Sequence, residues 1–590
     1  MTRRLLAPLL LASLGACLGV PEGGPAPMCV DTSECEAAAG EVCAEGVCWG
    51  DPPTLAMAAI VGPPDVSVLA GAEVPSLSIA RDGWMADLVL DAGVLVAGRV
   101  QPACVTQPCD QASLAALVTV TRASRIPGGP TFRVSTRSTA GVTDATQASF
   151  QVRVPRSEPG ERYIITVVGL DADGARLPDL PVDRRELELP GSTVPSQLRI
   201  ELGGASQRLV SGSVSDGAPL VGYQVVARAR WSADGPLEEL SSIATTDASG
   251  AFTLGLPLSA QGPIEVVARP PEDVVAPSLR RPDIELTDGV TALSPLRMPA
   301  YPAPVSLTLP VRGPSSDGAI EPVSGARVTA TTTLEPPVGP LTFVEFEASA
   351  ETDPSGVARL RLIPPFAGNV QAYQFRVVPP AGAKVELGAA MSVARDLGAM
   401  PLLSELILPR RVAIRGQLAS DRDVAIEGVA VRATPNLGFV YELDPELQRL
   451  LGEIAVGTDI SRADGSFVVW VEPEIGGQRA RYDLVIDAQG VVQVPNWQVS
   501  DVAVAAEAGV DLGPVTLPPA AFVRGVVTDA EGVAVPGAEV RVLALSEADL
   551  TCRASNAPAN CTAPAVVLAR GESDEQGVVR LVLPDIAAAP

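Results

Sequence analysis

Gly537-Ala538-Glu539-Val540-Arg541-Val542 is the stretch whose reading decides the fold. Apolar and charged residues alternate, so an extended chain puts the valines on one face and Glu539 and Arg541 on the other. That is a strand with one face buried. Upstream, Val523-Arg524-Gly525 ends another β-run before a turn, and downstream Asp574-Glu575-Gln576-Gly577 marks a second turn. Aspartate caps such a turn through its side chain, and glycine takes the positive φ that the turn requires. A further apolar run then closes at Pro584.

The same order recurs. Val210-Ser211-Gly212 leads to Gly222-Tyr223-Gln224-Val225-Val226-Ala227, Val311-Arg312-Gly313 to Gly325-Ala326-Arg327-Val328-Thr329-Ala330, and Ile414-Arg415-Gly416 to Gly428-Val429-Ala430-Val431-Arg432-Ala433. Their second turns are Asp247-Ala248-Ser249-Gly250, Asp353-Pro354-Ser355-Gly356 and Ala463-Asp464-Gly465, with closing prolines at Pro257, Pro364 and Pro473. A weaker copy begins at Ala97-Gly98-Arg99-Val100, with Cys104 and Cys109 in its first turn. A period near 100 residues is too long for a solenoid, whose repeats run about 20–50 residues. It fits separate domains in series, each built of about seven short strands in two packed antiparallel sheets. The fold class expected is therefore all-β: a multi-domain string of Ig-like or prealbumin-like sandwiches. Abundant glycine (54) and proline (56) suit that turn-rich class.

The ordered recurrence of V-x-G, Gly-Ala-x-Val-x-Val and Asp-x-x-Gly resembles carboxypeptidase-regulatory-like domains, which have a prealbumin (transthyretin)-like sandwich. The resemblance covers four units, or five with the weak first copy. It implies a folding, spacing or binding module beside other activities and does not imply peptidase activity. Two departures stand out: aspartate is missing three positions before Gly465, and Ala358 stands where an aromatic is common. Asp444-Pro445-Glu446-Leu447 predicts a short helix near 445–454, with an N-cap aspartate and proline at the first helical position. The last unit stops soon after Pro584 and reads as short of strands.

The amino terminus points to export. Arg3 and Arg4 precede an uncharged, mostly apolar run, Leu5 to Ala16, which has the layout of a signal peptide and is too short to span a bilayer. Leu14-Gly15-Ala16-Cys17 resembles the bacterial lipobox, which implies lipidation of Cys17. Leu18, not aspartate, follows, which leans towards the outer membrane or cell surface of a Gram-negative bacterium. Of nine cysteines, eight remain once Cys17 is set apart: Cys29, Cys35, Cys43 and Cys48, then Cys104 and Cys109, then Cys552 and Cys561. Even local groups in an exported chain read as disulfide candidates. The pairing among the first four stays open between three arrangements, and their spacing lacks the C-x2-C pairs of a zinc ribbon.

The resulting map places a signal peptide at 1–16, a lipidated tether at 17–28, a disulfide-rich knob at 29–49, and a linker or edge strands at 50–88. A degenerate sandwich follows at 89–204, then sandwiches at 207–299, 304–409, 410–518 and 520–590, the last reading as incomplete.

Chemistry is sparse. The absence of histidine removes Ser-His-Asp and Cys-His catalysis and histidine metal sites. No enzyme is expected; a hydrolase with paired carboxylates is the remote alternative. A net charge of −26 argues against nucleic acid as a partner. Leu170-Asp171-Ala172-Asp173-Gly174 resembles the start of a calcium loop, with Asp171 and Asp173 as candidate ligands and a plain β-turn as the competing reading. No other cofactor is indicated. The functional expectation is a lipid-anchored protein with structural, spacing or adhesive modules, its partners the membrane and an extracellular protein or polysaccharide. The alternative is a polysaccharide- or peptide-binding accessory lipoprotein of an export or uptake system. Five scattered tryptophans favour the first.

Overall fold

The computed structural model describes residues 29–585 except 36–41, 45–46, 50–56, 65–66, 81, 87, 104–110, 145, 190–197, 231–236, 286–291, 316–317, 335–341, 366–370, 381–386, 398–403, 444–456, 489–493, 506–507 and 545–564. Residues 1–28 and 586–590 lie outside the description, as do Cys17, Cys104, Cys109, Cys552, Cys561 and the helix expected near 445–454. A short helix is found just before that span, at Leu437–Glu442, where the Asn436 side chain accepts a hydrogen bond from the Phe439 N–H.

The repeat unit is clearest at 412–517. One sheet orders Ser466–Val471, Val412–Ala419 and Val510–Thr516, the last pair running parallel. The facing sheet orders Gly457–Ile460, Ala430–Pro435, Arg481–Asp487 and Trp497–Ala503, all antiparallel. Between them lie Ile414, Leu418, Val431, Phe467, Val469 and Leu484. The first module (94–202) has the same order: Phe150–Val154, Val94–Pro102 and Leu198–Leu202 against a sheet with Phe132–Ser138 at one edge. The second (207–298) and third (305–408) follow suit. Their outer sheets join where Ser278–Ile284 pairs with Phe343–Glu351, and their cores merge into one cluster.

The repeated glycines have distinct duties. Gly212, Gly416 and Gly98 each lie under a phenylalanine of the neighbouring strand (Phe252, Phe467, Phe150), and a Cβ would meet the ring at 2.5, 2.6 and 2.8 Å. Gly250, Gly356, Gly465 and Gly577 adopt φ of 73–78°. Each accepts, through its carbonyl, an N–H from the central strand or the residue just beyond it, from Val214, Val311, Leu418 and Val527 in turn. The aspartate of the turn works as expected: Asp574 Oδ1 accepts from Gln576 N and Val578 N, both at 2.9 Å. Arg462 stands in for it in the fourth module, closing the turn through its backbone, with Asp464 capping Ser466.

The final unit is not short of strands. Ala520–Val526, Glu539–Ala544, Val566–Glu572 and Val578–Pro584 supply four, and the remaining strands come from the other end of the chain. Met57–Gly62 pairs with Glu539–Ala544 over six positions, and Ala72–Val74 lies beyond it. Trp84–Met85 runs parallel to Ala520–Val526, and Val89–Leu90 to Thr528–Asp529. The strand order reproduces that of the fourth module. Residues 57–90 are thus the second half of a sandwich whose first half is 520–584. Met57, Ala59, Val61, Met85, Leu88 and Leu90 share one core with Val523, Val540, Val542, Val579 and Leu581. The backbone, followed from this split module through four others, returns to it.

The knob is present. Disulfides Cys29–Cys43 and Cys35–Cys48 cross-link it, which resolves the pairing that spacing left open. It rests on the split module: Trp49 is 4 % exposed and meets Phe522 edge-on at 6.0 Å. The Arg524 guanidinium lies 5.5 Å from the Trp49 ring and 4.7 Å from the Trp84 ring.

Candidate functional site

The junction of the split module and the first module gathers a buried set of charges. Glu73, on the edge strand Ala72–Val74, is nearly inaccessible at its side chain (4 %), as is Arg122 (1 %), at the end of the strand Ala116–Arg122. The two form an ion pair across the junction. Glu73 also accepts from Ser124 Oγ at 2.9 Å. Arg122 reaches Glu161 with its other arm, and Arg125 grips the same carboxylate with Nε at 2.9 Å and Nη2 at 2.6 Å. Burial pushes the Glu161 carboxyl up, but the Arg125 fork, the Glu158 N–H and the nearby guanidinium charges outweigh it and bring it down to about 2. The Arg122 guanidinium sits against the edge-to-face pair Phe132 and Tyr163, each ring centroid 5.6 Å away. A buried charge without partners would be costly, so this set is stable only with all members in place.

Apolar contact continues the junction. Ala58, Ile126 and Leu543 form a small core, and Ala565 N–H donates to Gly128 O at 2.9 Å. Beside it opens a cleft of about 800 Å³. Its walls include Pro63, Pro64 and Glu539 of the split module and Phe132, Arg133 and Arg153 of the first. Phe132–Ser138 is an edge strand whose alternate residues, Arg133 and Arg137 among them, face solvent. Arg541 and Glu539, paired at 2.6 Å, line the opposite wall.

The residues singled out from sequence fall elsewhere. Asp171 Oδ1 accepts from Asp173 N at 3.0 Å and Ala175 N at 2.8 Å. That is the capping geometry of Asp247, Asp353, Asp529 and Asp574, so the segment is built as the turn of its own module. The one metal-like cluster among the described residues consists of Cys29, Cys35 and Cys48, sulfurs committed to the disulfides. Trp49 is buried, and Trp84, Trp470 and Trp497 are half-buried, so none of these four offers a fully exposed ring face.

Sequence reading missed the junction because its members are remote in the chain and carry no motif. It also missed a set of buried tyrosines. Tyr163, Tyr373 and Tyr482 each lie within the first three residues of a strand and donate to a backbone carbonyl eight or ten residues back, at 2.7, 2.9 and 2.8 Å. The recurring Tyr-x-apolar-x-apolar pattern at 163–167, 373–377 and 482–486 is the signal that could have shown it.

No family model matches the chain, and no curated protein matches it. Solved structures similar to it include the Bacillus anthracis TIE protein, at 10% identity over 72% of this chain and 73% of that one, with a TM-score of 0.16. A streptococcal ancillary pilin is 12% identical over 52% of this chain and 98% of its own, TM-score 0.19. Two B repeat units of the collagen-binding protein of Staphylococcus aureus are 10% identical over 72% and 98%, TM-score 0.13. At such overlap nothing about this chain's arrangement or role is drawn from them.

Proposed function

We propose that this chain is an exported, lipid-anchored surface protein whose β-sandwich modules space and present a binding or adhesive face. The observation that carries the reading is the pair of disulfides in the knob, Cys29–Cys43 and Cys35–Cys48. They belong to an oxidising compartment and begin twelve residues after Cys17, at the end of the apolar leader. Several acyl chains on Cys17 would give firm anchoring where one chain gives marginal binding. Beyond the knob come five sandwiches, of which the second and third share a sheet and the split and first are clasped by an ion pair, an architecture suited to rigidity. Enzymatic chemistry has no place in this reading, and no cofactor is needed; a melting temperature unmoved by millimolar calcium would remove the Asp171–Asp173 alternative. Globomycin treatment and labelled palmitate test the anchor: accumulation of unprocessed chain and label lost in Cys17→Ser support it, and unaltered processing refutes it.

The cleft favours a second reading, a peptide-binding accessory. Arg133, Arg153 and Arg541 stand out on a chain of net charge −26, and the Phe132–Ser138 edge has unpaired backbone groups on one side. An extended acidic peptide would add a strand there. Anisotropy of a labelled poly-glutamate peptide, lowered by Arg133→Glu, is the measurement.

A further inference from the structure

The split module is closed without any covalent bond between its halves. Six paired positions, from Met57↔Ala544 to Gly62↔Glu539, join segments more than 470 residues apart. Without residues 57–90, the half built by 520–584 would bare Val523, Val540, Val542 and Leu581, all buried in the closed form. It needs an occupant of one shape and one register. We propose that residues 57–90 are an exchangeable donor, completing the C-terminal half-module of a second copy of this chain as they complete their own.

Two features support exchange. The donor is firmly part of the first module's side of the molecule: Ala70 N–H donates to Asp91 O at 2.8 Å, Glu73 is locked to Arg122, and Ala58 shares a core with Ile126. Donor and first module therefore present themselves together, and all of their contacts to 520–584 are reproduced unchanged on another copy. The acceptor half is joined to the fourth module through Leu517-Pro518-Pro519-Ala520, and the cores on the two sides are separate clusters. Only this connection has to change direction, and two successive prolines restrict how it can fold back. Exchange then costs no interaction energy. Which closure forms depends on the effective concentration of a chain's own donor against that of its neighbours. Donor and acceptor are different surfaces, so the exchanged contact is head-to-tail and propagates. The proposal does not depend on the lipid anchor.

Cysteines at one register pair read the answer. A Cβ on Gly62 would lie 3.8 Å from Glu539 Cβ, the usual spacing across a disulfide. Gly62→Cys and Glu539→Cys are made in separate full-length chains, which are unfolded, mixed, refolded together across a range of concentrations and oxidised. Heterodimer in non-reducing gels, absent from a wild-type mixture and rising several-fold with concentration, is expected. The chain carrying both substitutions should run at monomer mobility when refolded dilute and as a ladder when refolded concentrated. Monomer alone at every concentration, with no heterodimer from the mixed chains, overturns the proposal. Ile60→Cys with Arg541→Cys, also directly paired, repeats the test where the first pair does not fold.

Discussion

Leu88→Ala is the sharpest probe of the split module. Leu88 is 1 % exposed and lies in the N-terminal segment, yet its Cδ1 sits 2.7 Å from where a Cβ on Gly525 would be, so it fills the space that glycine leaves. Its carbonyl accepts from Thr528 N at 3.1 Å. Removing three carbons from such a site costs about 2–5 kcal/mol, towards the upper half where the surroundings cannot collapse. Taking about 3 kcal/mol, the opening equilibrium of the module rises about 100-fold, since about 1.4 kcal/mol is a factor of ten. Hydrogen exchange of the amides in Ala520–Val526 reads that opening directly, more than 430 residues from the substitution. The fourth module's amides should be unaffected, and Val68→Ala, at a side chain 68% exposed in the same segment, should leave protection in 520–526 within about twofold. Unchanged protection of 520–526 in Leu88→Ala would refute the account, because residues 84–90 would then lie outside that core.

Gly577→Ala should destabilise the same module by about 1–3 kcal/mol, because φ is 73° and the new Cβ meets Val527 O at 2.7 Å; Gly532→Ala, at φ 81° with nothing within 4 Å, should cost about 1 kcal/mol, both read by denaturant melts. Glu161 is held near 2, below its ordinary 4.5, so its stabilising share is present above about pH 4.5 and is lost as pH falls towards 2. Thermal melts over that window should show a loss at the junction that Glu161→Gln abolishes, leaving a lower, flatter profile. Tyr482→Phe removes a buried hydrogen bond to Glu472 O and should lower the fourth module's stability by about 1 kcal/mol in a denaturant melt. Reducing the knob releases two loops of 14 and 13 residues, worth about 3 kcal/mol each on the chain-entropy estimate, and should shift tryptophan fluorescence as Trp49 leaves Phe522.

Much of the fold is local and was therefore legible. Alternation at 539–542 and the Asp-x-x-Gly turns are short-range consequences of side-chain period and φ, and they recur wherever the sequence repeats them. Even the weak first copy was betrayed by Gly98, which sits under Phe150 as Gly212 sits under Phe252. Partnership was not legible. Met57-Ala58-Ala59-Ile60-Val61-Gly62 reads as a strand from composition alone, but nothing within it says that its neighbour lies at 539–544. Two facts held the answer separately: a first stretch with strands to spare and a last unit that lacked them. The ion pairs of the junction were hidden for the same reason, since Glu73, Arg122 and Glu161 are ordinary surface types until the fold removes water from them. Likewise the knob's four cysteines announced disulfides, while their pairing required three-dimensional proximity.

The split module also bears on how the chain is made. Synthesis delivers the amino terminus first, so residues 57–90 emerge early and wait for partners that arrive last. A chain terminated anywhere before 520 leaves Val61, Met85 and Leu88 bare at the end nearest the knob. Truncation far downstream is thereby reported at the other extremity, as exposed apolar strand that a protease can seize. Only a product translated through Leu583 can cover its own residues 57–90 without borrowing the acceptor half of another copy.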